Sequence, residues 1–221
     1  MTHRGLFITL EGPDGCGKST QLKLLQDALE KRGIDHWMTR EPGGTRVGEH
    51  IREMLLSPAN TAISPRAEML LYAASRAQHV DEAIRPRLAA GVTVVSDRYI
   101  DSSLVYQGLG LGLGIDMVWH VNCIAVDSLL PDLTVVLELG EDEAEARLER
   151  KLQQGNEGRD RIEARGKDYH KSVSAGYNRL KDIFPERVMA VDARIPPKET
   201  AEKILFRITD MLEQRRKEGE P

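Results

Sequence analysis

Five short apolar stretches punctuate the chain: Leu6–Leu10, His36–Thr39, Thr93–Asp97, Leu133–Leu139 and Val188–Asp192. The first is a continuous apolar run, the pattern of a strand buried on both faces of a parallel sheet. Between these stretches the apolar spacing changes to three and four. Leu22, Leu25 and Leu29 share one face of a helix predicted over residues 18–32, which ends at Gly33. The same reasoning predicts helices over 46–56, over 66–89 after a Ser64-Pro65 start, through Tyr106, and over 115–130, 141–153 and 169–184. A last one over 199–215 lines up Ile204, Ile208 and Leu212. Strand, helix and strand within about thirty residues make a βαβ unit, which requires a parallel sheet and right-handed crossovers. The fold class is therefore α/β, and the absence of repeats and long linkers implies one domain. The tail Arg216–Pro221 is expected to be disordered.

The turn after the first strand carries Gly12-x-x-x-x-Gly17-Lys18-Ser19. Glycine at these positions lets successive backbone N–H groups turn inward on a phosphate, and the helix that starts at Lys18 adds its positive dipole end. Gly12, Pro13, Asp14, Gly15, Cys16, Gly17, Lys18, Ser19 and Thr20 are accordingly candidates for holding ATP. Lys18 would reach the β- and γ-phosphates, and the Ser19 hydroxyl would join a Mg²⁺ shell completed by water and phosphate oxygens.

Other polar groups fall at strand ends, where open α/β sheets bind ligands. Residues 40–45 form a turn-rich break after the second strand, either such an edge or a plain surface loop. Asp97 and Arg98 end the third strand; beside a phosphate loop the acid can hold Mg²⁺ through water and the arginine can grip a phosphate, instead of merely pairing with each other. The alternating glycines of Gly108–Gly114 fit no dinucleotide fingerprint and read as a flexible connection. Gln154–Lys167, with Arg159, Arg161 and Arg165, is either a solvated turn or a lid that closes over the transferring phosphoryl group. Cys16 is either a thiolate activated at the helix N-terminus or a small residue packed away.

The 221 residues suffice to bury a full core. A formal charge of −4 argues against a nucleic-acid or membrane surface. The start of the chain lacks the pattern of a signal peptide, and the two cysteines have no metal or redox spacing, so a cytoplasmic protein without disulfides is expected.

Several separated motifs together resemble thymidylate kinases of the bacterial kind, along essentially the whole chain. They are Glu11-Gly-Pro-Asp-Gly-Cys-Gly-Lys-Ser19, Thr39-Arg-Glu-Pro-Gly-Gly44, Leu71-Tyr-Ala-Ala-Ser-Arg76, Asp97-Arg-Tyr-Ile-Asp-Ser-Ser103, Tyr106-Gln-Gly108 and Asp160-Arg-Ile-Glu163. The resemblance implies a three-layer phosphate-loop fold with five parallel strands, a homodimer, and phosphorylation of dTMP to dTDP by ATP and Mg²⁺ toward dTTP. It also implies that Tyr72 stacks on thymine, Arg76 bonds its O4, Ser103 and Gln107 read the remaining base edge, and Tyr106 packs against C2′. By the same match Arg98 holds the acceptor phosphate, with Arg40 and Arg52 nearby. Asp14 reaches the acceptor sugar and helps place the metal, and Glu163 stands at a metal-linked position. Two departures stand out: Gly15 occupies a position where some members carry arginine, and Leu109, Leu111 and Leu113 fill a loop where many bacterial members have one. Charge stabilisation then falls to Arg159 and Arg161. From the residues alone, a kinase for another nucleoside monophosphate and a partner-driving ATPase stay open; a GTPase would need an Asn-Lys-x-Asp segment that the chain lacks.

Overall fold

The computed structural model describes residues 4–154 and 158–218. Its centre is a five-stranded, wholly parallel sheet: β1 (Phe7–Glu11), β2 (His36–Arg40), β3 (Thr93–Asp97), β4 (Leu133–Glu138) and β5 (Val188–Asp192). The spatial order is β2-β3-β1-β4-β5, so the chain reverses its direction of winding on either side of β1. That reversal opens a crevice at the carboxyl ends of β1 and β3.

Alternation along β1 sets the layers. Leu6, Ile8 and Leu10 face Leu25 and Leu29 of α1 (Lys18–Lys31) and Ile204 and Ile208 of α9 (Pro197–Glu218). Phe7 points the other way, to Val80, Ile84 and Leu88. Each such side chain contributes about 1.5–3 kcal/mol by leaving water. A further cluster, including Val105, Tyr106, Val173 and Tyr177, seals the gap between β4 and α8 (Lys167–Ile183).

The remaining helices begin where local chemistry allows. The Thr45 hydroxyl accepts from Gly48 N at 3.0 Å to cap α2 (Arg46–Leu56). Ser64 accepts from Ala67 N, with Pro65 as first residue, to open α3 (Pro65–His79). The helix predicted over 66–89 is one rod with a wide turn: a π-helical segment, Val80–Ile84, joins α3 to α4 (Arg85–Ala89). A second π segment, Leu104–Gly110, continues from α5 (Ile100–Ser103). The glycine-rich connection is therefore helical as far as Gly110 and irregular only at 111–114. Next, α6 (Ile115–Val126) stops four residues short of the prediction, where Asp127 and Ser128 take φ of 43° and 63°.

After α7 (Glu141–Gln154), the described part of the arginine-rich segment, residues 158–166, is not a free solvated turn: Ile162 is buried against Val105, Val136 and Tyr177. At the other end α9 runs through Glu218, so the expected disorder of the tail does not hold for residues 216–218; residues 219–221 lie outside the described residues. Among the described residues no helix is long and apolar enough to cross a membrane.

Candidate active site

The loop from Gly12 to Gly17 takes the shape its glycines permit. Gly12 has φ 141°, and a Cβ there would meet the Leu137 carbonyl at 2.7 Å and Cys16 Sγ at 2.8 Å. Lys18 Nζ folds back to donate to the carbonyls of Gly12 at 3.0 Å and Pro13 at 3.1 Å, while the Ser19 and Thr20 side chains stand exposed at the mouth. Cys16 is packed into the core against β1 and β4, with 2% of its surface exposed. Burial pushes its thiol upward and outweighs the nearby Lys18 ammonium. Of the two readings of Cys16, the packed one fits this burial, because desolvation penalises the anion more than the loop's positive groups favour it.

Across the crevice stands Arg98, which has φ 68°, a left-handed conformation that costs roughly 1–3 kcal/mol and persists only where neighbours impose it. Here they do. Its Nη1 donates to Gly12 O at 3.0 Å, Ser102 Oγ at 3.1 Å and Tyr177 OH at 2.8 Å. Its Nη2 donates to Asp14 Oδ1 at 2.5 Å and Tyr106 OH at 3.0 Å. Burial would raise the Asp14 carboxyl, but Arg98, Lys18 and the Tyr106 hydroxyl together hold it at about 2. The Asp97–Arg98 pair is thus not an ion pair; Arg98 turns to Asp14, and Asp97 Oδ1 is buried at the cleft without a hydrogen-bond partner.

The acceptor candidates converge on the same cleft, about 490 Å³ in volume. Tyr72, Arg76, Ser103, Tyr106 and Gln107 line it together with Asp14, Lys18, Ser19, Asp97 and Arg98. Burial raises the Tyr72 phenol, so it stays neutral. Arg76 is buried: Nε donates to Glu41 Oε2 at 2.7 Å, Nη1 to Ser103 Oγ at 2.9 Å and to Asn122 Oδ1, and Nη2 to Tyr99 O at 2.9 Å. Arg40, Arg52 and Glu163 also reach the lining, though Arg40 is held bidentately by Glu49 at 2.9 Å. Arg159 and Arg161 are not among its lining residues. Arg159 donates to Glu145 at 2.5 Å; Arg161 donates to Leu55 O and to Glu68, both at 2.7 Å.

Residues outside the sequence reading complete the site. Glu41, Glu11 and Glu68 are buried acids that hold the functional arginines and hydroxyls in place. Glu11 accepts from Tyr99 N at 2.8 Å, Ser102 Oγ at 2.6 Å and Tyr177 OH at 3.1 Å. The signal for it was present: one acid closing an otherwise apolar strand. Arg147 of α7, with Ala193, Ile195 and Pro197 after β5, walls the far side of the phosphate loop. Arg147 donates to Ala193 O at 3.1 Å.

Burial, reinforced by Asp101 and opposed by Arg98, raises the Glu11 carboxyl from 4.5 to about 7. The folded chain therefore keeps a proton that the unfolded chain releases, and stability should fall as pH rises between about 4.5 and about 7. In Glu11→Gln this contribution is absent. Its melting temperature relative to the parent should be more favourable at pH 8 than at pH 5; an equal offset at both values would assign the acid no such role.

Residues 10–204 match the family model described as thymidylate kinase. A thymidylate kinase of Exiguobacterium sp. is 49% identical over 189 residues, covering 86% of this chain and 87% of that protein. One of Caldanaerobacter subterraneus subsp. tengcongensis is 51% identical, with 86% and 88% covered. One of Bacillus licheniformis is 42% identical over 216 residues, with 98% and 99% covered.

Proposed function

This chain belongs to the thymidylate kinase family, and from that premise we propose how its side chains carry the phosphoryl group of ATP to dTMP. The observation that carries the reading is the opening of the phosphate loop and the Tyr72–Arg76 face of α3 onto one cleft, with Arg98 between them. The donor triphosphate lies in the loop from Gly12 to Thr20, where Lys18 exchanges its loop carbonyls for phosphate oxygens. The donor base lies toward Arg147 and Ile195. The acceptor base stacks on Tyr72 and meets Arg76, Ser103 and Gln107, and Tyr106 stands against C2′ of its deoxyribose. Arg98 directs the acceptor phosphate in line and Asp14 receives the sugar hydroxyl, with Arg40 and Arg52 flanking them.

Ser19, Asp97, Asp14 and Glu163 are the oxygen donors suited to Mg²⁺. The unpartnered Asp97 Oδ1 supports that fit; since among the described residues no three His, Cys, Asp or Glu gather into a metal site of their own, phosphate oxygens and water would complete the shell. When bound among phosphate oxygens, Mg²⁺ supplies charge neutralisation at the transferring phosphoryl. The attacking phosphate oxygen is already anionic, so the chain needs no strong general base; its work is positioning and charge compensation. The enzyme acts in the cytoplasm on the route to dTTP. With ADP release coupled to a dye, dTMP should give the highest kcat/KM among nucleoside monophosphates, exceeding dUMP by only about 1–3 kcal/mol in transition-state energy. The rate should vanish on chelation of Mg²⁺. Equal kcat/KM for dTMP, AMP and GMP would overturn the acceptor assignment.

The segment around 154–167 serves as the lid, and two of its three arginines, Arg159 and Arg161, divide the labour. Arg159 is half-buried and held by Glu145 of α7 and the Glu163 carbonyl, contacts that solvent partly screens, whereas the Arg161 side chain is buried and held between α2 and α3. Arg159→Ala should lower kcat by roughly 10³-fold with the KM for dTMP little changed. Arg161→Ala should instead lower thermal stability. A normal kcat in Arg159→Ala would remove it from the reaction.

The chain forms a homodimer through α2, α3 and α6. α3 lies beside both other helices, and the three expose Val47 and Met54, Leu70, and Met117 and Ile124; Leu70 is 55% and Ile124 84% exposed. Leu70 is two residues from Tyr72 and so on the other side of its helix. Light scattering should give twice the chain mass for the parent and the chain mass for Leu70→Glu/Ile124→Glu; a monomeric parent would refute the dimer.

A further inference from the structure

Glu68 lies one helical turn before Tyr72 on α3, behind the cleft and not among its lining residues. Its side chain is completely buried, yet it accepts from three directions. Oε2 accepts from Arg161 Nη2 at 2.7 Å and Arg165 Nη2 at 2.5 Å. Oε1 accepts from Gln107 Nε2 at 3.1 Å and from Arg165 Nη1 at 3.3 Å.

The contact with Gln107 has a chemical consequence. A carboxylate oxygen accepts and cannot donate, so only the NH₂ end of the amide can face it; the reverse orientation would set two oxygens against each other. Nε2 is thereby turned back toward Glu68. That leaves Oε1 as the atom of Gln107, itself a lining residue, offered to a ligand. An acceptor at this point pairs with the N3–H of an imide base such as thymine or uracil. It opposes the bare N3 acceptor of cytosine.

We propose that Glu68 is a specificity-positioning residue: it locks the Gln107 amide with its oxygen toward the cleft, so that the acceptor site takes an imide pyrimidine and rejects an amino pyrimidine. This rests on the assignment of Gln107 to the base edge made above. Arg161 and Arg165 are part of the device. Their two short bonds both go to Oε2, against one longer bond from Arg165 Nη1 to Oε1, so an amide placed at position 68 would keep its oxygen at Oε2.

Glu68→Gln exploits that preference at almost constant volume. The new amide keeps its oxygen on the two arginines and turns its NH₂ toward Gln107. Gln107 must then flip to accept from it, presenting Nε2 to the cleft. The ratio of kcat/KM for dTMP over dCMP, measured on the full chain with Mg-ATP, should fall at least about tenfold, partly through a gain on dCMP, because a site built to pair with one base edge penalises its mismatch strongly. Loss of activity on both acceptors in the same proportion, with the ratio unchanged, would overturn the proposal and leave Glu68 a structural anchor.

Gln107→Leu separates this result from failure of the underlying assignment. If the parent prefers dTMP and Gln107→Leu keeps the full preference, the base-edge role of Gln107 is wrong. If Gln107→Leu loses the preference and Glu68→Gln does not, only the role of Glu68 is wrong. Should Glu68→Gln fail to fold, side-chain amide NMR of the parent decides: the Gln107 NH₂ signals, identified by their absence in Gln107→Leu, should be protected from exchange and show no contact to bound dTMP. A contact between that NH₂ and the base would overturn the proposal.

Discussion

The Arg98 guanidinium stands where the phosphate loop, α5, the second π segment and α8 meet, and it bonds to every one of them. Its partners come from three separate stretches of the chain: Gly12 and Asp14, Ser102 and Tyr106, and Tyr177. A planar cation with five donors can serve such a convergence where a lysine cannot. The strain of its left-handed backbone is carried by the Arg98 N to Leu10 O bond at 2.9 Å and the Ser96 Oγ to Arg98 O bond at 2.8 Å, which continue the sheet into the turn. Without that centre the loop that cradles the donor and the surface that takes the acceptor would have no common reference.

Around this centre the site is built on buried acids, of which Glu11 and Glu68 stand behind the cleft and Glu41 reaches its lining. Glu11 gathers Tyr99, Ser102 and Tyr177; Glu41 holds Arg76 and His79; Glu68 holds Gln107, Arg161 and Arg165. Each side chain is expensive to bury and is retained by several hydrogen bonds at once, so removing one partner would leave a buried polar or charged group uncompensated. The return is geometric. Side chains that must meet a base or a phosphate are presented with few available rotamers, which lowers the entropy lost on binding.

Two segments that read as mobile in sequence are used in packing. The start of the Gly108–Gly114 connection, as far as Gly110, belongs to the π segment, whose wider turn points Tyr106 and Gln107 into the cleft together. Residues 158–166 carry Ile162 into an apolar cluster and Arg161 onto α3. A single buried isoleucine and an arginine reaching across 93 positions leave no periodic trace, so polarity and glycine content dominated the reading of that stretch.

The strands, the parallel sheet and the phosphate loop were legible in the chain because each is written in local chemistry: apolar runs of strand length, helical spacing ended by Gly33, and glycines at a fixed distance from Lys18 and Ser19. That Tyr72, Arg76, Arg98, Ser103 and Gln107 belong together was implied by the resemblance of their motifs to thymidylate kinases, and the five do line one cleft. What the buried acids hold was decided only by tertiary structure. Glu41, Glu68 and Glu11 look like ordinary surface or strand-end acids until folding brings Arg76, Arg161 and Tyr177 against them across 35, 93 and 166 positions. The environment of Cys16 was decided the same way: the loop motif left an activated thiol and a packed one both open, and folding places the sulfur in the apolar cluster with β1 and β4, where desolvation raises the thiol.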